Sequence, residues 1–210
     1  MNIKFQPFHC SGFVQTEISD SDLDSLGDII KSADKTKQSY LAGVQTDNWM
    51  IPEAQQVLKP YIHNLVTAYS QTYVEFTDEY EREMGKIISP KYKIDSLNLD
   101  EIWVNITEKY MYNPPHNHQG IYSYVIFYKI PFSLEEERQL PHVKKSNQPY
   151  PGCFYFIHPA HSGHTYIQNV EVDRGAEGTM ILFPARIVHG VHPYYTSDET
   201  RITIAGNVTL

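Results

Sequence analysis

His116 and His118 stand one residue apart, and on an extended chain residues i and i+2 face the same side. Much later, Pro184-Ala-Arg-Ile-Val-His189 adds a third imidazole, and Arg201-Ile-Thr203 follows it. Neutral imidazole is a common ligand of transition metals, and three on strand-like segments would hold one ion while leaving coordination positions open. Arg201 and Thr203 share one face of a strand, so a guanidinium and a hydroxyl would point into the same interior. A planar, permanently charged fork beside a metal is suited to gripping a carboxylate through paired hydrogen bonds. An Arg left unpaired inside a barrel is costly, which calls for a bound anion or a local acid. The chemistry indicated is an open metal centre with an anion held next to it. The plainer alternatives are surface or hydrogen-bonded histidines and an Arg at an exposed strand end.

Strands must carry these residues. Pro114 and Pro115 precede the His pair and disfavour a helix there. Ile121 to Ile130 is a β-branched and aromatic run, and residues 99–106 alternate as a strand does. Further strand-like segments are expected at 152–158, 165–172, 179–183 and 201–208, separated by Pro, Gly, Ser and Asp clusters. Many short strands joined in this way predict a sandwich or jelly-roll barrel, in which strands distant in sequence become neighbours. That arrangement would bring His189 to the His pair. His158, His161, His164 and His192 lie in turn-like segments and are read as surface or supporting residues.

The first hundred residues read as mainly helical. Ser19-Asp-Ser-Asp offers N-cap oxygens ahead of Leu23, Leu26, Ile29 and Ile30. A longer helix is expected from Pro52-Glu53, with Val57, Leu58, Tyr61, Ile62, Leu65, Val66, Tyr69 and Tyr73 as its core-facing stripe. The expected organisation is therefore a helical supporting region over 1–98 and a β core over 99–210, forming one structural unit. Phe132 to Pro151 is polar, charged and Pro-containing, and reads as a lid, a binding loop or a solvated insertion.

Composition limits the alternatives. The 210 residues suffice for one domain with a sizeable core, and 41% hydrophobic with 13% aromatic content argues against disorder. A formal charge of -8 disfavours a nucleic-acid surface as the main function. Two cysteines, Cys10 and Cys153, are too few for a disulfide framework and point to a reduced, cytoplasmic setting. No signal peptide or membrane-spanning run is recognisable. Oligomeric state is left open, a homodimer included.

The order of a His pair, a strand, Gly178-x5-Pro184-x4-His189 and Arg201-x-Thr203 resembles the Fe(II)/2-oxoglutarate-dependent dioxygenases. More narrowly, it is similar to bacterial and phage oxygenases whose His-x-His precedes a Ser-x-Val-x-x-Tyr strand, here Ser123-Tyr-Val-Ile-Phe-Tyr128. The resemblance covers roughly residues 99 to 210. It implies a double-stranded β-helix (a cupin-like jelly roll), Fe(II) as cofactor and 2-oxoglutarate as co-substrate. It also implies release of succinate and CO2 and, by default, hydroxylation of a small molecule or peptide. Arg201 and Thr203 would take the far carboxylate of 2-oxoglutarate, with Trp103 and Asn105 on the pocket wall. The superfamily commonly carries His-x-Asp or His-x-Glu where this chain has His118. Either the three histidines form an all-imidazole triad, or His118-Gln-Gly120 is a variant with two protein ligands. The same pattern also resembles the two cupin motifs, which would give a metal protein working without 2-oxoglutarate. The Glu expected after a cupin's first His pair is absent, and a cupin has no need of Arg201-x-Thr203.

Overall fold

The computed structural model describes residues 12–36, 47–74, 97–159 and 163–209. Cys10, His161 and the side chain of Tyr73 lie outside the described residues. Among the described residues, ten strands form two antiparallel sheets. The major sheet has the order β1 (Val14–Glu17), β8 (Thr179–Pro184), β5 (Tyr122–Lys129), β10 (Arg201–Thr209), β3 (Asn98–Thr107), β2 (Asp47–Met50). The minor sheet has the order β4 (Asn113–His116), β9 (Val188–Val191), β6 (Phe154–Pro159), β7 (Thr165–Val170). Crossing between the sheets in this order makes the double-stranded β-helix.

Strand β5 explains the layering. Its run Tyr-Ser-Tyr-Val-Ile-Phe is buried on both faces, which is why it reads as continuous rather than alternating. Tyr122, Tyr124 and Ile126 join an outer core with Leu26, Leu58, Ile62 and Leu65 of the helices. Val125 and Phe127 face inward, packed with Phe154 and Phe156 of the minor sheet and with Ile181 and Phe183. The helices are α1 (Asp20–Ser32) and α2 (Gln55–Val74), the latter entered through a 3-10 turn at Pro52–Ala54. Ser19 caps α1, its Oγ accepting from the Asp22 amide at 3.3 Å.

Two expectations need amendment. The N-terminal half also supplies β1 and β2, the two edges of the major sheet. Each is only four residues long, at the lower limit for reading a period of two. The polar stretch 132–151 is not a loose lid. It folds into α3 (Leu134–Gln139) and α4 (Pro141–Lys144), with Phe132, Leu134, Glu137 and Val143 buried.

Candidate metal and co-substrate site

Pro114 and Pro115 lack amide protons, so β4 pairs with β9 only at Asn113↔Val191 and His116↔His189, with an irregularity between. This register sets His116 directly opposite His189. Their ring centroids are 4.5 Å apart, and His118 lies 5.0 Å from His116 and 5.2 Å from His189. One ligating atom from each ring falls within 4.8 Å of the others, and no carboxylate of the described residues joins them.

The hydrogen bonds define which nitrogens are free. His116 Nδ1 donates to the Pro114 carbonyl at 2.7 Å, and His189 Nδ1 donates to the Ile187 carbonyl at 2.9 Å. A carbonyl only accepts, so both Nδ1 atoms carry the proton and Nε2 keeps its lone pair for a metal. His189 is walled by Phe154 and Phe183, with centroids at 5.5 and 4.8 Å. Burial, aided by the other imidazoles, pushes its pKa down to about 3; burial and then His116 push His118 down to about 4. Neutral imidazoles with free lone pairs are what a divalent ion requires, so the donor set fits iron.

The inward face of the major sheet forms the opposite wall. Arg201 pairs with Thr107, Thr203 with Asn105 and Phe127, and Ala205 with Trp103 and Val125. All of these line the same cleft as the three histidines. Arg201 is 4% exposed, and no acid among the described residues forms a salt bridge with it. Its Nε donates to Thr107 Oγ1 at 3.0 Å, its Nη1 to the Gly152 carbonyl at 3.2 Å, and its Cζ stands 5.4 Å from the Tyr194 ring. Burial in these neutral surroundings lowers its pKa to about 10, well above neutral pH, so the group stays cationic. Asn105 Nδ2 donates to Thr203 Oγ1 at 3.3 Å, and Asn105 Oδ1 is buried without a partner. A buried cation short of acceptors is a site that an anionic ligand completes, whereas Asn105 Oδ1 is an acceptor and calls for a donor. Trp103, 5% exposed, places its ring 5.6 Å from His118.

The structure thus brings His116, His118, His189, Arg201, Thr203, Asn105 and Trp103 to one cleft. His158 lies on β6 and His164 in the bend before β7, both away from the cleft, and His192 packs against Tyr155 at 4.4 Å outside it. Thr107 and Tyr194 were not singled out from sequence. Thr107 continues the 103, 105, 107 alternation and could have been found from it, whereas the Gly152 contact is made by backbone and has no side-chain signal.

A jelly roll with an imidazole cluster facing an unpaired buried Arg belongs to the class of Fe(II)/2-oxoglutarate-dependent oxygenases. The family model described as "putative 2OG-Fe(II) oxygenase" matches residues 101–207, just over half of the chain, and the chain belongs to that family. Among solved structures it is similar to the epimerase SnoN in complex with Fe3+, alpha-ketoglutarate and nogalamycin RO. That pair is 13% identical over 95% of this chain and 79% of the other, with a TM-score of 0.57. A Trichoplax adhaerens prolyl hydroxylase in complex with a peptide of hypoxia inducible factor is 12% identical over 94% and 83%, at 0.55. A Pseudomonas putida prolyl-4-hydroxylase is 13% identical over 95% and 92%, at 0.52. These likenesses show the fold. No curated protein matches the chain. Family membership decides for the oxygenase over a cupin working without 2-oxoglutarate. The protein is a 2-oxoglutarate-dependent oxygenase with Fe(II) as its metal. No helix among the described residues is long and apolar enough to cross a membrane.

Proposed function

We propose that His116, His118 and His189 hold the iron through their Nε2 atoms and that Arg201, Thr203 and Asn105 hold the distal carboxylate of 2-oxoglutarate. The outcome is hydroxylation of a small molecule or a peptide, carried out by a cytoplasmic enzyme that acts on no nucleic acid. Residues 1–98 support the catalytic core formed by 99–210. The observation that carries this reading is the pairing, in one cleft, of three clustered imidazoles with a buried Arg that has no acid partner among the described residues.

Each residue has a distinct task. The Pro114 and Ile187 carbonyls hold His116 and His189 in the tautomer that leaves Nε2 free. Arg201 supplies the charge for a carboxylate, and Thr107 and Gly152 aim its fork. Thr203 accepts from Asn105, which leaves its own hydroxyl proton for the ligand. Phe154, Phe183 and Trp103 exclude water around the imidazoles. Bound iron with 2-oxoglutarate and oxygen supplies the oxidising power, one oxygen atom going to succinate as CO2 leaves and the other to a substrate C–H bond.

Anaerobic titration with Fe(II), with and without 2-oxoglutarate, tests the assignment. A weak visible charge-transfer band that needs both components and is lost in Arg201→Ala is the expected result. A band that persists unchanged in that variant would sink the role given to Arg201.

A further inference from the structure

Behind Arg201, four residues close a ring. Phe132 stacks on Tyr194 with centroids 4.9 Å apart and planes 19° from parallel. Tyr194 lies 5.4 Å from the Arg201 guanidinium carbon. Arg201 Nη1 donates to the Gly152 carbonyl at 3.2 Å. Gly152, at φ +71°, returns to Phe132, where a β-carbon would collide with the ring. Phe132 and Gly152 bracket the polar stretch that contains α3 and α4.

That stretch is fastened to the segment carrying Tyr194. Glu137, fully buried on α3, accepts through Oε1 from the Tyr195 amide at 2.8 Å, the Thr196 amide at 2.7 Å and the Thr196 hydroxyl at 2.7 Å. The Gly152 amide donates to the Pro193 carbonyl at 2.8 Å. Loss of these bonds would leave the buried Glu137 carboxylate and the buried Gly152 amide unsatisfied, so the segment is held closed rather than poised to open. Of the three neutral groups that aim Arg201, Gly152 belongs to this segment, Tyr194 stacks on its Phe132 while donating its hydroxyl to the Thr107 and Glu199 carbonyls, and only Thr107 stands on a strand.

We infer that residues 132–152 are a positioning element for the co-substrate, in which Phe132 and Gly152 are positioning residues that hold Arg201 in line for the distal carboxylate. This rests on the assignment of Arg201 under Proposed function. A guanidinium with no acid to orient it takes its direction from neutral contacts, and a bidentate grip depends on that direction. A shift of about 1 Å in a positioning group is sufficient to lower binding or rate strongly.

The test compares 2-oxoglutarate with 2-oxobutyrate, a 2-oxo acid lacking the distal carboxylate, each titrated anaerobically into Fe(II)-loaded protein and read from the charge-transfer band. Phe132→Leu removes the stack on Tyr194 while keeping an apolar side chain, and Gly152→Ala forces the collision with Phe132. Each variant is expected to weaken 2-oxoglutarate by about tenfold while leaving 2-oxobutyrate and Fe(II) affinity as in the parent. Phe132→Leu is the decisive arm if Gly152→Ala does not fold. Equal losses for both acids, or no loss for either, would overturn the inference. Arg201→Ala run in parallel separates the two levels. If it too leaves the preference for 2-oxoglutarate intact, the assignment of Arg201 falls and the inference with it; if it alone abolishes the preference, only the inference falls.

Discussion

His116 and His189 face each other in direct register across β4 and β9, with ring centroids 4.5 Å apart and each Nδ1 tied to the carbonyl two residues before it. The same local device on two strands leaves both Nε2 atoms free. His189→Ala is therefore expected to weaken Fe(II) binding by at least about 100-fold, since losing even an orienting partner of a ligand costs about 10- to 100-fold. Anaerobic Fe(II) titration checks this, and retained affinity would remove His189 from the ligand set.

The buried imidazoles also make the metal-free protein acid-sensitive. His189 titrates near 3 and His118 near 4 because burial disfavours their charged forms, whereas the unfolded chain titrates near the ordinary 6.5. Below that value the unfolded state binds protons that the folded state refuses, so stability falls as pH is lowered from about 6.5 towards 4. The slope is up to about 1.4 kcal/mol per pH unit for His189 and smaller for the more exposed His118. Urea midpoints of the metal-free protein between pH 7.5 and 5 should drop more steeply than those of His189→Leu. Parallel curves for the two would contradict the account.

Arg201 gives a third expectation. Its fork serves Thr107 Oγ1 and the Gly152 carbonyl at once and still has N–H groups to spare. Lys at this position keeps a charge but has no planar fork, so Arg201→Lys should weaken 2-oxoglutarate about tenfold or more with Fe(II) affinity unchanged. A co-substrate affinity equal to that of the parent would show that charge alone suffices.

Cys153 is free, fully buried and next to Gly152, and burial raises its thiol pKa to about 11. The thiolate is the reactive form, so at pH 8 alkylation at Cys153 should be slow until denaturant opens the fold. Peptide mapping after a timed iodoacetamide pulse reads this directly, and rapid labelling of the native protein would count against a closed 132–152 segment.

Much of the site was legible because strand alternation is a strong signal. Pro114-Pro115 ruled out a helix at the His pair, and the Arg201, Thr203 alternation put both side chains on one face, as the β10 register has it. Family resemblance then supplied iron and 2-oxoglutarate, which spacing alone does not specify. The features that the sequence does not signal have physical reasons. Strands β1, β2 and β9 are four residues each, at the lower limit for reading a period of two, and β2 and β9 do not alternate in burial. Helix α3 is six residues long and exposes Glu135 and Glu136 while burying Leu134 and Glu137, so its composition reads as solvated. Glu137 looks like its neighbours until the amides of 195 and 196 are seen to converge on it.

His118 bears on the electrostatics of the centre. On the proposed assignment, three neutral imidazoles leave a bound divalent ion its full charge, whereas the His-x-Asp arrangement common in the superfamily neutralises one unit. A centre with the higher charge attracts the dianionic co-substrate more strongly, an effect enlarged where water is excluded. His118→Asp is therefore expected to retain Fe(II) but to bind 2-oxoglutarate more weakly, with the loss shrinking as ionic strength rises. The same substitution should weaken 2-oxobutyrate as well, because it acts at the metal and not at Arg201. Fe(II) and co-substrate titrations of this variant at two salt concentrations check both statements. If His118→Asp and His118→Ala each left iron affinity unchanged, the metal would be held by His116 and His189 alone, and His118 would be an uncoordinated neighbour against Trp103.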